Sequence, residues 1–424
     1  MTERVYLCID LKTFFASCEC VLRGLDPFKT NLVVADPSRG KGAICLAISP
    51  KMKSMGIKNR CRLFEIPDNV EYITAMPQMK RYMEFSTKIY SIYLRYISEE
   101  DIYPYSIDEM FLDVTTYLKL YNTTPYKLAK MLMDKIYTEL GLPSACGIGS
   151  NLFLAKVALD ITAKHNSDNI GYLNEELFKE KLWDHTPLTD YWQIASGMTR
   201  RLNNMGLYTM RDISNADPER LYKEFGINAE ILIDHANGIE PVTIKDIKNY
   251  KRKSRSISQS QILFTDYEYE KCKIIIKEMV EVLSLQLVEK HLVSNNISLQ
   301  IRYSKDSHKP TGGSMKLTIN TNVFSKLLPF FMDIYEKTTS RSDLIRGIGI
   351  SFNNVTTLEN EYLDLFTDTL EVEKERKLEE TINSIKNKYG KNSIVKAMNL
   401  TEEATTLKRN KLIGGHNAES EDAN

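Results

Sequence analysis

An acidic turn between two apolar runs constrains this chain more than any other feature. In YSIDEMFLD (Tyr105 to Asp113), short strands over Tyr103 to Ile107 and Met110 to Val114 are expected to meet at Asp108 and Glu109. A second segment, CIDLKTFFASCE (Cys8 to Glu19), follows an apolar run, Val5 to Ile9, that reads as a strand delivering Asp10 at its end. As neighbours in one sheet, these strands would bring three carboxylates to one spot. Oxygens so grouped repel unless cations offset them, and hard oxygen ligands select Mg²⁺ or Mn²⁺. Two such ions about 4 Å apart can activate an attacking hydroxyl and stabilise a leaving oxygen in an in-line phosphoryl displacement. Taken singly, each segment reads as readily as a buried strand with a solvated carboxylate or as a charged hairpin.

Composition sets the frame. At 424 residues the chain is too long for one ordinary core, and two to four domains are expected. The 42% hydrophobic and 26% charged content is that of a soluble globular protein. No apolar run approaches the roughly 18 residues of a membrane span, so no membrane partner is expected. Asp10 interrupts the early apolar stretch, which argues against a signal peptide. Seven cysteines without CxxC pairs suggest reduced thiols and a cytoplasmic protein. A net charge of zero neither demands nor excludes nucleic acid, because a basic face can hide in the whole-chain balance.

Several segments carry further patterning. LPSACGIGSNLFLAKVALDITAKHN (Leu142 to Asn166) reads as a strand, a Gly-Ser turn and a helix over Leu152 to Lys164 capped by Ser150 or Asn151. Residues 176–240 read as all-helical. IKDIKNYKRKSRS (Ile244 to Ser256) sets six cations against Asp246. Residues 257–355 follow a β-α-β-β-α-β order, the ferredoxin-like pattern. The tail, 356–424, is charged and expected to be mostly mobile, with one short amphipathic helix on Leu378, Ile382, Ile385 and Tyr389. Its end, with Glu419, Glu421 and Asp422, reads as disordered.

YSIDEMFLD and DLKTFFASCE together resemble the Y-family translesion DNA polymerases. The likeness is closest to the bacterial branch containing the catalytic subunit of DNA polymerase V, and it covers roughly residues 3 to 355. The resemblance implies a multidomain α/β and α+β right-hand polymerase of low fidelity that copies damaged DNA, in the setting of DNA repair, the SOS response and mutagenesis. Residues 1–18 and 78–175 would form the palm, 19–77 small fingers, and 176–240 a thumb. A basic linker, 241–256, would lead to the little finger at 257–355.

By resemblance, Asp10, Asp108, Glu109 and the Leu11 carbonyl would hold two Mg²⁺ ions, with Mn²⁺ as an alternative. Lys53 and Lys156 would contact the triphosphate of a dNTP, and Pro50 stands where many relatives carry Tyr. Phe15 matches the ring that excludes a ribose 2′-OH, with Phe14 beside it at the nucleotide or in the core. WQIASGMTRRLNNMGLYTMRDIS (Trp192 to Ser214) resembles the thumb's helix-hairpin-helix, with Gln193-Ile194-Ala195 in place of the usual glycine-bearing turn. Arg200, Arg201, Lys251, Arg252, Lys253 and Arg255 are candidate contacts to primer-template DNA. YLDLF (Tyr362 to Phe366) resembles the bacterial sliding-clamp peptide, with Leu363, Leu365 and Phe366 as its apolar anchors. A mutagenesis accessory subunit and a recombinase are further partners raised by the resemblance. Two other classes compete. A nucleotidyl cyclase would lack the thumb-like, linker and ferredoxin-like blocks, and an inactive DNA-binding subunit would have lost one of the three carboxylates.

Overall fold

The computed structural model describes residues 4–252, 255–304 and 308–419. It comprises two compact units, Met1–Tyr250 with Asn417–Asn424, and Lys251–His416.

The first unit opens with β1 (Tyr6–Leu11) and α1 (Phe14–Leu22), followed by β2 (Leu32–Val34), β3 (Ala47–Ile48), α2 (Pro50–Ser54) and β4 (Ile73–Ala75). Next come α3 (Met79–Leu94), β5 (Ile102–Pro104), β6 (Glu109–Asp113), α4 (Thr115–Leu120), α5 (Pro125–Leu140), β7 (Ser144–Gly149), α6 (Leu152–Val157) and β8 (Ile170–Leu173). The main sheet runs β5-β6-β1-β7-β8, so β1 is its centre. Alternate residues of β1 feed two cores, as the period of a strand requires. Leu7 and Ile9 pack with residues of α1, α3 and α5, whereas Tyr6 and Cys8 pack with Phe111 and with Leu152 and Ala155 of α6. The smaller sheet, β3-β2-β4, has its own core around Val33, Cys45, Ile48 and Met52.

α6 lies unusually close to β7. A Cβ at Gly147 would stand 2.0 Å from the Ala155 carbonyl oxygen, and one at Gly149 only 2.2 Å from the Ala155 nitrogen. Asn151 is the N-cap, accepting from the Leu154 N–H at 2.8 Å. The expected single helix to Lys164 is instead segmented. A π-type turn over Ala158–Thr162 and a 3₁₀ turn over Ala163–His165 follow α6, where the backbone presses on Gly171.

Five short helices complete a third core: α7 (Glu175–Lys181), α8 (Ser196–Asn204), α9 (Met210–Asn215), α10 (Pro218–Phe225) and α11 (Asn228–Ala236). Within the expected basic linker, α12 (Ile244–Asn249) forms behind a Thr243/Asp246 capping box. Ile244 is buried with Tyr6 and Cys8, and Lys248 donates to the Glu99 carbonyl. Its one apolar turn gave this run a docked face that its charge density hides.

The second unit contains β9 (Ile257–Tyr267), α13 (Tyr269–Glu289), β10 (Leu292–Tyr303), β11 (Thr311–Thr321), α14 (Phe324–Thr338), β12 (Ile345–Asn353) and β13 (Thr356–Thr357). Element order is as expected, but the sheet runs β11-β10-β12-β9. Thus the second and fourth strands pair at the centre, where the ferredoxin order would pair the first and third. Burial accounts for this: β10 and β12 carry the most buried residues, whereas β9, with Ser258, Gln259, Ser260 and Gln261, is suited to an edge.

The expectation of a mostly mobile tail is corrected. α15 (Thr369–Tyr389) is 21 residues long, and its packed face follows the expected stripe only in part. Leu378 and Tyr389 are exposed and Ile382 and Ile385 half-buried, while Val372 and Glu379 are buried. Glu375 caps α14 through Ser325, and Asn383 donates to the Leu285 carbonyl. Counting apolar residues alone misses a face made of hydrogen bonds. Beyond α15, the fully buried Glu278 of α13 accepts from the Thr405 N–H (2.8 Å), the Thr406 N–H (3.1 Å) and the Asn399 amide (3.1 Å). Glu419 pairs with Lys80 at 2.7 Å, and Glu421 and Asp422 lie outside the described residues.

Glu278→Ala leaves those buried donors without an acceptor. We expect a loss of about 2–4 kcal/mol and a lower urea midpoint for the second unit, read by chemical denaturation with a probe in that unit.

Candidate active site

The antiparallel register of β1 on β6 sets Asp10 directly opposite Glu109, and the Leu11 N–H donates to the Asp108 carbonyl at 3.0 Å. The backbone thus brings the three acidic residues together. Their side chains face separate partners. Asp108 accepts from the Ser106 hydroxyl at 2.6 Å. Glu109 is nearly buried, accepting from the Cys8 thiol at 3.0 Å and pairing with Lys156 at 2.8 Å. Among the described residues no three acidic, His or Cys side chains stand ready to hold one ion, because hydroxyl and ammonium donors satisfy two of the carboxylates.

Electrostatics describe a crowded site. Burial, then Asp108 and Glu109, push the Asp10 carboxyl up to about 7, although Lys164 and Lys156 oppose the shift. Burial also opposes the charge on Lys156, but Cys8, Glu109 and Asp160 outweigh it and hold the ammonium above its ordinary value. Asp160 joins Lys156 (3.0 Å) to Lys164 (2.8 Å). Lys156 can reach Glu109 because Gly147 and Gly149 let α6 lie against β7.

Other expected residues divide. Phe15 is half-buried, and its ring stacks on Tyr82 with centroids 4.7 Å apart. Phe14 is 3% exposed and belongs to the core, which corrects its assignment to the nucleotide. Lys53 is exposed on α2, a helix anchored by buried Met52 and capped by Ser49. Pro50 fits as the first residue of that helix, where its missing N–H costs nothing. Burial and then Lys53 depress the Lys12 ammonium, and Asp10 opposes them. Lys12, two residues after Asp10, is a cation of this neighbourhood that no motif singles out.

At the hairpin, Gln193 takes φ 70°, the left-handed conformation that glycine adopts without strain. Arg200 is exposed, but Arg201 is committed within the unit, paired with Glu224 at 2.6 Å and lying over the Phe225 ring. Lys251, Arg252 and Arg255 are exposed, and Lys253 lies outside the described residues. Leu365 and Phe366 are 98% and 97% exposed, whereas Leu363 is half-buried.

The chain matches the impB/mucB/samB family over residues 9–160 and that family's C-terminal domain over residues 254–365. UvrX of Bacillus subtilis (strain 168) is 34% identical over 418 residues, covering 97% of each chain. DNA polymerase IV 2 of the same organism is 30% identical over 430 residues, covering 98% of this chain and 99% of its own. The chain belongs to the impB/mucB/samB family, the Y-family DNA polymerases. Among solved structures, the Y-family DNA polymerase chimera Dbh-Dpo4(243-245)-Dbh shares the fold at a TM-score of 0.64 and 19% identity. That match covers 83% of this chain and 99% of the chimera. The protein is a DNA-directed DNA polymerase of the translesion class. Among the described residues of this polymerase, no helix is long and apolar enough to cross a membrane.

The Asp10 shift carries a sign. Its folded carboxyl keeps a proton to about pH 7, whereas in an unfolded chain it is lost near pH 4, roughly. The folded protein therefore binds the extra proton, and metal-free stability falls as pH rises through that window. Divalent cations held by these acids would relieve the same repulsion. We expect saturating Mg²⁺ to raise the melting temperature more at about pH 8 than at about pH 6, and the difference to vanish in Asp10→Asn, as thermal denaturation would read.

Proposed function

We propose that Asp10, Asp108, Glu109 and the Leu11 carbonyl hold two divalent cations, Mg²⁺ or Mn²⁺, at the polymerase centre. The observation that carries this is the register setting Asp10 against Glu109, with Leu11 tied to Asp108. The donor set fits hard cations: three carboxylates and a carbonyl oxygen are hard ligands, and burial together with repulsion from Asp108 and Glu109 raises Asp10. When bound, such ions would supply Lewis acidity for attack of a primer 3′-OH on the α-phosphorus of a paired dNTP.

The chain's own residues would orient that substrate. Lys156, once parted from Glu109, would set its ammonium against the leaving pyrophosphate, and Lys53 would hold the triphosphate from the opposite element. Phe15 would exclude a ribose 2′-OH, since its ring offers that hydroxyl neither space nor a partner. Residues 1–18 and 78–175 would serve as palm, 19–77 as fingers, 176–240 as thumb and 257–355 as little finger. Arg200, Lys251, Arg252 and Arg255 would meet DNA phosphates, giving salt-dependent binding. A cytoplasmic location accords with this role.

Tyr362 to Phe366 would dock on a sliding clamp. Tyr362 pairs with Asn320 through both backbone groups (2.8 and 3.2 Å), while Leu365 and Phe366 stand clear of the protein. A Leu-Phe pair so exposed suits an apolar pocket on a partner.

Primer extension across an abasic site, with Mg²⁺ and all four dNTPs, tests the reading as a whole. Asp108→Ala and Glu109→Ala should each lower extension by about a hundredfold or more, with DNA affinity by gel shift nearly unchanged. Extension within tenfold of wild type in Asp108→Ala would discard the site, on a scale of about 1.4 kcal/mol per tenfold.

Replacing Leu365 and Phe366 by Ala should leave distributive synthesis on short primers intact and abolish stimulation by loaded clamp. Equal stimulation of both proteins would remove this peptide from recruitment.

A further inference from the structure

A buried acid near the active centre has no part in the reaction described above. Glu19 lies on α1 one turn after Phe15 and is fully buried. It accepts from the Tyr82 hydroxyl at 2.6 Å, from the Gln78 amide at 3.2 and 3.3 Å, and from Arg23. Desolvating a carboxylate is costly without such donors, so the group is built into the fold. Tyr82 is also fully buried, and its ring lies 4.7 Å from that of Phe15 with planes inclined by only 23°. Phe15 is therefore bounded on one side by the Tyr82 ring and on another by core residue Phe14, 5.8 Å away.

We propose that Glu19 is the positioning residue of the sugar gate: it anchors the Tyr82 hydroxyl, and Tyr82 backs the Phe15 ring against a ribose 2′-OH. The proposal rests on the reading of Phe15 as that gate. An apolar ring discriminates by shape only while it cannot yield. If its backing moved by a few tenths of an ångström, the clash with a 2′-OH would relax, since repulsion falls steeply with distance. Phe15 and Glu19 share one face of α1 at i,i+4 spacing, so a single residue of α3 can meet both. Burial and the Glu19 carboxylate both raise the Tyr82 hydroxyl, which keeps it a donor at any working pH.

The competing explanation is a bond that merely ties α1 to α3. Single-nucleotide insertion of a dNTP and its matching rNTP separates the two, using kcat/KM ratios for wild type, Tyr82→Phe, Glu19→Ala, Glu19→Gln, Phe15→Ala and the Phe15→Ala/Tyr82→Phe pair. Tyr82→Phe keeps the ring and removes only the hydroxyl; it should raise the rNTP:dNTP ratio about fivefold or more. Glu19→Ala should do the same, and Glu19→Gln, which retains an acceptor, should fall nearer wild type. In the Phe15→Ala background Tyr82→Phe should add nothing, because the backed ring is gone. If Glu19→Ala does not fold, Tyr82→Phe decides alone. A ratio raised by Phe15→Ala but unmoved by Tyr82→Phe overturns the role of Glu19 and leaves the gate standing. A ratio unmoved by Phe15→Ala overturns gate and positioning together.

Discussion

Like charges gathered where two buried strands meet set the terms for the rest of this polymerase. β1 is central, so its position is dictated by two cores at once, and its register on β6 cannot slip without exposing one of them. That register puts Asp10 against Glu109 whatever the electrostatic cost. The fold meets the cost with a raised Asp10 carboxyl and with Lys156, an ammonium delivered from a helix. Delivery depends on Gly147 and Gly149, since any side chain at either position would push α6 away from β7. Two glycines in an apolar strand, unremarkable as sequence, thereby govern the charge balance of the site.

The turn after β1 extends this control from charge to shape. Thr13 takes φ 46°, and α1 starts at once, so the helix carries residues outward from Asp10 in fixed rotation. Phe14 turns into the core, Phe15 lies half-exposed, and Glu19 turns inward again. Adjacent aromatics thus have opposite duties. Lys12 belongs to the same turn and shares its field with Lys53 and Asp10, so cations stand near the acids on more than one element.

The strands bearing the acidic residues, the Asn151-capped helix and the β-α-β-β-α-β order were legible because each rests on local periodicity or a cap. Features that depend on partners far along the chain were not. Phe14 and Phe15 are the same residue type side by side, and only packing against Tyr82 and the core tells them apart. Arg201 reads as a free cation until Glu224, 23 residues later, folds back on it. The pairing of β10 with β12 is likewise a choice among strands that element order leaves open. In the tail, the apolar stripe Leu378, Ile382, Ile385 and Tyr389 is half-buried at Ile382 and Ile385 alone, and α15 docks also through Val372, Glu375 and Asn383. Polar residues dock a helix when their bonds are satisfied, and no hydropathy pattern records satisfaction.

An ordered tail changes what the proposed docking peptide can do. On its near side Tyr362 is paired with Asn320; on its far side Asp368 caps α15 through the Leu370 and Glu371 N–H groups. Asp364 closes the intervening turn by accepting from the Phe366 N–H at 2.9 Å. Leu365 and Phe366 are thus presented from a short loop held at both ends, not from a free terminus. Ordering a segment on binding costs conformational entropy, and a loop already held in place has less of it to lose. In the proposed docking, the backbone anchoring at Tyr362 would offset part of the polar contact forfeited where the bacterial peptide carries Gln, a contact worth roughly 0.5–1.5 kcal/mol.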